Sequence, residues 1–282
     1  MPYLKKTYRL PDRIEYEHCY AGRYGLKGEK RAKRKKPSPE QMQRQNQINR
    51  ANRTRRVIAA NFGEGDYFAT LKYPAGTRKD IDEVKKDFKN FRQRLSRIYK
   101  KYGTPLKYIY RIEVGKLGGI HIHIILNRIS GVDTDILIQE KWTYGRVNFQ
   151  TIYESGGYRK LADYMTKQPK EGNTDYEQLQ LFEKDERKSL LLLESSRNLV
   201  RPEPEVKKYT RRGVMKLVTE GPEPTEGYYI DKESILMGIN PYTGMNYFHY
   251  AEVKIKKNKG VGRNVYKRFG VQENGEIGME KL

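Results

Sequence analysis

The spacing of apolar positions changes repeatedly between residues 66 and 170, and each change marks a predicted element. Asp66–Tyr73 (DYFATLKY) is rich in strand-forming residues and stops at the turn signal Pro74-Ala75-Gly76. Ile81, Val84, Phe88, Phe91, Leu95, Ile98 and Tyr99 then recur largely at spacings of three and four, which predicts an amphipathic helix over Asp80–Lys101 ended by Gly103. Leu106–Val114 reads as a strand, Gly115–Gly119 as a turn, and Ile120–Leu126 (IHIHIIL) as a second strand. A short helix over Asp133–Lys141 leads to Trp142 as a core anchor; Arg146–Ile152 alternates as a strand, and Gly156-Gly157 opens a helix over Tyr158–Gln168. This order predicts an α+β fold: a ferredoxin- or RRM-like antiparallel sheet with helices on one face, the other face open for function, and helical and β appendages.

The flanks carry weaker patterns. Within the core domain expected over 37–170, a first helix starts at Ser38 or Pro39 and stops near Asn61–Gly63. Its apolar residues Met42, Ile48, Val57 and Ile58 are too sparse for a stripe, so it is expected to lie against nucleic acid rather than in a core. Residues 1–36 read as a basic, disordered arm. Its block Lys27–Lys36 (KGEKRAKRKK) fits either a nucleic-acid-binding arm or a solvated tail. Residues 171–220 read as a helical linker extension, with a helix over Asp175–Glu194 followed by Pro202 and Pro204. Residues 221–282 read as an accessory region: a hairpin around Asn240–Gly244, between Ile235–Ile239 and Tyr247–Ile255, then a disordered tail from Lys256.

Composition narrows the partner. The 282 residues hold 57 basic and 35 acidic side chains, a net charge of +22, so the surface attracts a polyanion: nucleic acid or an acidic membrane surface. No run of 18 apolar residues is present, and MPYLKKTYRLPDR has no apolar signal-peptide core, so a cytoplasmic protein without a membrane partner is expected. A single cysteine, Cys19, excludes a disulfide framework and a cysteine-based zinc site. The 23 tyrosines suit either stacking on unpaired bases or filling strands.

Candidate chemistry follows from phase. On Ile120–Leu126 the alternation puts His121, His123 and Ile125 on one face and the apolar Ile120, Ile122, Ile124 and Leu126 on the other, which should meet the helices. Imidazoles at i and i+2 stand roughly 7 Å apart at Cβ, within reach of one shared cation. On the preceding strand, Ile109, Arg111 and Glu113 share a parity, and a hairpin across Gly115–Gly119 would set Glu113 beside His121. Two imidazoles and a carboxylate suit a divalent ion such as Mn²⁺ or Mg²⁺. Arg111 on the same face is either a DNA contact or a solvated strand charge. On the last helix Tyr164 and Lys167 are neighbours at i and i+3, above a buried side of Leu161, Ala162 and Met165. A phenol with its usual pKa near 10 needs a cation and a polarised phosphate to act as a nucleophile. Tyr158 is a weaker candidate, about 240° around the helix from Tyr164.

His121-Ile122-His123 followed by a helix bearing Tyr164-Met165-Thr166-Lys167 resembles the HUH endonucleases, the superfamily of rolling-circle replication initiators and relaxases. The chain is similar to the single-tyrosine replication proteins of bacterial plasmids and phages. It shares their leading helix, the stretch from Asn61-Phe62 to Tyr73, Glu113 before a Gly-rich turn, Trp142 and Gly145. The resemblance spans Pro37–Gln168, touches Ser195–Leu199 faintly and is absent over Gly221–Leu282. It implies an HUH nicking domain that holds a metal through His121, His123 and Glu113. Tyr164 would attack single-stranded origin DNA, leaving a 5′-phosphotyrosyl link and a free 3′-hydroxyl, and Lys167 would orient the phosphate or the phenol oxygen. A relaxase or transposase would share this chemistry. A non-enzymatic single-strand binding module would instead place aromatic rings on the open face, where this strand has two imidazoles. With no GxxxxGK[ST] loop in the sequence, unwinding is expected to fall to a host helicase.

Overall fold

The computed structural model describes residues 2–21, 37–152, 157–169, 172–240 and 244–255. The elements in chain order are β1 (Pro2–Arg9), β2 (Arg13–Tyr20), α1 (Pro39–Asn61), β3 (Tyr67–Lys72), α2 (Ile81–Lys101), β4 (Tyr108–Val114), β5 (Ile120–Leu126), α3 (Thr134–Lys141), β6 (Arg146–Thr151) and α4 (Gly157–Thr166). They continue with α5 (Thr174–Gln180), α6 (Lys184–Leu191), β7 (Leu193–Ser195), β8 (Glu205–Thr210), α7 (Arg211–Glu220), β9 (Tyr228–Ile239) and β10 (Asn246–Lys254). Two five-stranded antiparallel sheets result, one ordered β6-β3-β5-β4-β7 and the other β8-β1-β2-β10-β9.

The first sheet is the predicted core. Its main helix, α2, starts at a capping box in which the Asp80 carboxylate accepts from the Glu83 amide at 2.7 Å, and its apolar stripe is buried against the sheet. Ile112, Ile120, Ile122, Ile124 and Leu126 meet Val84, Phe88, Phe91 and Leu95 on that face. Trp142 is buried, and its indole donates to the Lys72 carbonyl at 3.2 Å. Gly118 takes φ of 77°, in the left-handed region, so the β4–β5 turn closes tightly with Gly115 and Gly119 paired at 2.8 Å.

The helices cover both faces of this sheet, not one. The parity that carries the histidines also carries Phe68, Ile109 and Ile125, and these apolar side chains pack against Val57 and Ile58 of α1 and Ala162 and Met165 of α4. Leaving them open to water would expose a contiguous apolar patch, so α1 and α4 close over part of the face. The end of α1 therefore joins the core, while its first half is exposed.

Residues 2–20 are not an arm. They form the β1–β2 hairpin at the centre of the second sheet, with β8 beside β1 and β10 beside β2. Alternation in β2 (RIEYEHCY) buries Ile14, Tyr16 and His18 on one side, while Glu15 and Glu17 on the other meet Arg55 and Arg56 of α1. The block Lys27–Lys36 and the tail from Lys256 lie outside the described residues.

The single helix expected over Asp175–Glu194 is two short helices and a strand, broken at Leu181–Glu183. Part of the run Leu190–Leu193 turns into β7 and pairs with β4. The region 171–220 also holds β8 and α7, and the hairpin expected around Asn240–Gly244 is β9 paired with β10. No helix among the described residues is long and apolar enough to cross a membrane.

Candidate active site

Three strands and one helix converge on the exposed end of the histidine face. β4 and β5 pair so that Glu113 lies opposite His121 and Arg111 opposite His123; β3 sets Thr70 opposite His123 on the other side. Partners opposite in register share a face, so Thr70, Arg111, Glu113, His121 and His123 stand together. One ligand atom each from Glu113, His121 and His123 falls within 4.8 Å of the other two. Glu113 Oε2 is 2.8 Å from His123 Nε2 and 3.6 Å from His121 Nε2.

The surroundings favour the ligand form of Glu113 and of His123. Burial pushes the Glu113 carboxyl up, but hydrogen bonds from His121 and His123 and the nearby Arg111 cation outweigh it, and the net result lies well below the usual carboxylate range. For His123 burial dominates and pulls the imidazole down, against the opposing Glu113 hydrogen bond, which favours the neutral ring that a metal needs. The Thr70 hydroxyl sits 3.1 Å from His123 Nδ1 and so directs Nε2 into the cluster, an outer contact of the kind that orients metal-binding histidines. Phe68 stacks on the same imidazole with ring centroids 5.7 Å apart. Two nitrogens and a carboxylate oxygen, converging, aimed and partly exposed, fit a divalent cation with positions left for substrate.

α4 delivers the phenol. Ala162 and Met165 bury one side of the helix, which leaves Tyr164 on the other, about 43% exposed. Its hydroxyl lies 2.9 Å from His123 Nε2 and donates to Glu113 Oε2 at 3.4 Å. Tyr158 goes elsewhere: it is buried, and its hydroxyl donates to the Phe62 carbonyl at 3.1 Å. Lys167 falls one residue beyond the end of α4 and is exposed, with its amide bonded to the Tyr164 carbonyl at 3.3 Å.

Arg111 is not a solvated strand charge. It is buried, and its guanidinium donates to the carbonyls of Met165, at 3.4 Å, and Lys167. A cation at the last carbonyls of a helix complements their partial negative charge, so Arg111 pins the end of α4 that carries Tyr164 over the cluster. Sequence reasoning missed this role and those of Thr70 and Phe68. The signal for Thr70 was its parity with Phe68 on a strand flanking the histidines; nothing local announced the Arg111 contact with α4.

Residues 66–169 match the family model for Replication-associated protein ORF2/G2P. No curated protein and no solved structure matches the chain.

Proposed function

We propose that this chain is a rolling-circle replication initiator of the HUH type that nicks single-stranded origin DNA through Tyr164. The match over residues 66–169 supports a rolling-circle initiator, and the HUH resemblance is consistent with it. It also weighs for replication over a relaxase or transposase role. The strand order β6-β3-β5-β4, fourth-first-third-second among the core strands, supports the ferredoxin-like arrangement. The observation that carries the proposal is the phenol oxygen standing 2.9 Å from one candidate metal ligand and 3.4 Å from another.

Glu113, His121 and His123 would hold Mn²⁺ or Mg²⁺, which when bound supplies polarisation of the scissile phosphate. The chain's own groups do the rest. Tyr164 Oη attacks phosphorus in line with the departing oxygen and gives up its proton to solvent. The new Oη–P bond forms as the P–O3′ bond breaks, and the 3′-oxygen takes a proton to leave as a free hydroxyl. One phosphodiester is exchanged for another, so attack by a 3′-hydroxyl can rejoin the strand. Lys167, exposed at the end of α4, is assigned the task of orienting the phosphate or the developing phenolate. Packing of α1 and α4 over part of the face weighs against a bare single-strand binding platform, because only a limited edge is left for bases. Origin DNA and a host helicase are the partners this reading calls for.

The test is direct. Protein incubated with Mn²⁺ and a mixed pool of single-stranded oligonucleotides should yield protein–DNA adducts that survive denaturation, and EDTA should prevent them. Adducts formed equally well in EDTA, or none from any sequence pool, would overturn the proposal.

A further inference from the structure

α1 is polar over its first half, yet Asn46, Arg50, Arg53, Thr54 and Val57 fall at helical spacing on one side of it. That side lines a cleft of about 670 Å³ against the edge where β7 joins β4. The cleft has two kinds of wall. Val57, Ile109 and Leu193 give it an apolar floor, while Arg50, Arg53 and Arg201 rim it, and among the described residues no carboxylate lines it. Two of the guanidiniums are held in place: Arg50 donates to the Leu191 carbonyl and Arg201 to the Ser195 hydroxyl, both at 3.0 Å. Each guanidinium has five N–H donors, so each keeps others for a ligand.

The cleft is also in line with the candidate active site. Ile109, Arg111 and Glu113 occupy one face of β4, so the floor residue Ile109 lies four positions from the metal ligand Glu113, about 13 Å along the strand. A strand of DNA with its scissile phosphate at Tyr164 would reach the cleft within a few nucleotides.

We infer that this cleft holds a nucleotide of the substrate strand flanking the cleavage site, its base on the Val57–Ile109–Leu193 floor and its phosphates on Arg50, Arg53 and Arg201. An apolar floor accepts a base of any sequence, and guanidinium planes both stack on bases and fork to phosphate oxygens. A described lining with three arginines and no carboxylate suits a polyanion and not a cationic ligand. The polar stripe of α1, unexplained by core packing, thereby gains a function. The inference rests on the proposed nicking function for its choice of ligand, and its test reads binding, not cleavage.

The experiment uses the full chain carrying Tyr164→Phe, so that DNA binds without being cut. Anisotropy of a labelled mixed-sequence single strand is followed against salt, with and without Arg53→Gln and Arg201→Gln together. Both arginines are exposed, so the fold should persist, which a thermal melt checks. The double substitution should weaken binding and flatten the log–log salt slope by about 1.4, for two lost contacts at about 0.7 each. Mn²⁺ binding at Glu113, His121 and His123 should stay unchanged. An unaltered slope would overturn the assignment. Photocrosslinks from bromodeoxyuridine placed next to the cleavage site should map to residues 46–57 or 191–201; crosslinks confined to other segments would also overturn it. Failure of the nicking reading would appear elsewhere, as wild-type protein that forms no adduct.

Discussion

The two sheets use the same residue types to opposite ends. Each is antiparallel and five-stranded, and each holds two of the chain's four histidines beside glutamates and tyrosines. In the core sheet His121 and His123 lie two residues apart on one strand, so they share a face with Glu113. In the second sheet His18 lies opposite Phe248 while His249 lies opposite Glu17, so the two imidazoles project to opposite faces. His18 is then sealed in, its Nδ1 3.2 Å from the Phe248 carbonyl and its ring stacked on Tyr250. Glu17 is taken by Arg56, and Glu15 by Arg55 and Arg56, the latter at 2.9 Å. A one-residue difference in phase separates a cluster able to bind a cation from a set of groups that hold a sheet to a helix.

The sharpest way to break this contrast is to delete one imidazole from each sheet. His123→Ala should abolish Mn²⁺ binding and adduct formation, whereas His249→Gln should leave both intact. Metal titration by electron paramagnetic resonance reads the first and denaturing gels the second; equal losses would show that the sheets do not divide the work. Next in size is the ion-pair cluster. Glu15→Gln takes from Arg55 its only carboxylate among the described residues, leaves Arg56 with Glu17 alone, and should cost about 3–5 kcal/mol of stability in urea unfolding. An unchanged midpoint would mean that the cluster does not tie α1 to the second sheet.

Much of the first contrast was legible beforehand. The strand Ile120–Leu126, its parity and the placement of Glu113 beside His121 all follow from alternation and one short turn, which are local. Of the second sheet only the β9–β10 hairpin was legible, because β2 finds its partner β10 more than 200 residues away and no local pattern announces such a pairing. β2 did offer one overlooked signal: Ile14, Tyr16, His18 and Tyr20 alternate with Glu15, Glu17 and Cys19. The basic block Lys27–Lys36, which draws all of residues 1–36 into one arm, hid it. The same limit explains Arg111. A buried arginine capping a helix more than 50 residues later in the chain is a tertiary fact, and its strand phase alone left solvent and DNA as the options.

The pH response should separate the sheets further. Burial pushes the His18 imidazole down from 6.5 to about 4. The unfolded chain therefore takes up this proton first as pH falls, so the stability is fully present above pH 6.5 and is lost towards pH 4, by up to about 3 kcal/mol. Unfolding midpoints measured across that window should fall, and His18→Gln should flatten the trend; a parallel trend in the variant would assign it to other groups. The smallest expected effect is at Thr70. Thr70→Val removes the hydroxyl that aims His123 and should weaken Mn²⁺ binding about 10–100-fold without unfolding the sheet. Unchanged affinity would mean that packing against Phe68 orients the ring by itself.

If DNA becomes attached to one phenol, peptide mapping of the adduct will locate it. Protein should be reacted with Mn²⁺ and single-stranded DNA, then digested with nuclease and protease and sequenced by mass spectrometry. A residual nucleotide is expected on Tyr164 and none on the buried Tyr158. A nucleotide on any other residue, or an adduct that persists in Tyr164→Phe, would contradict it.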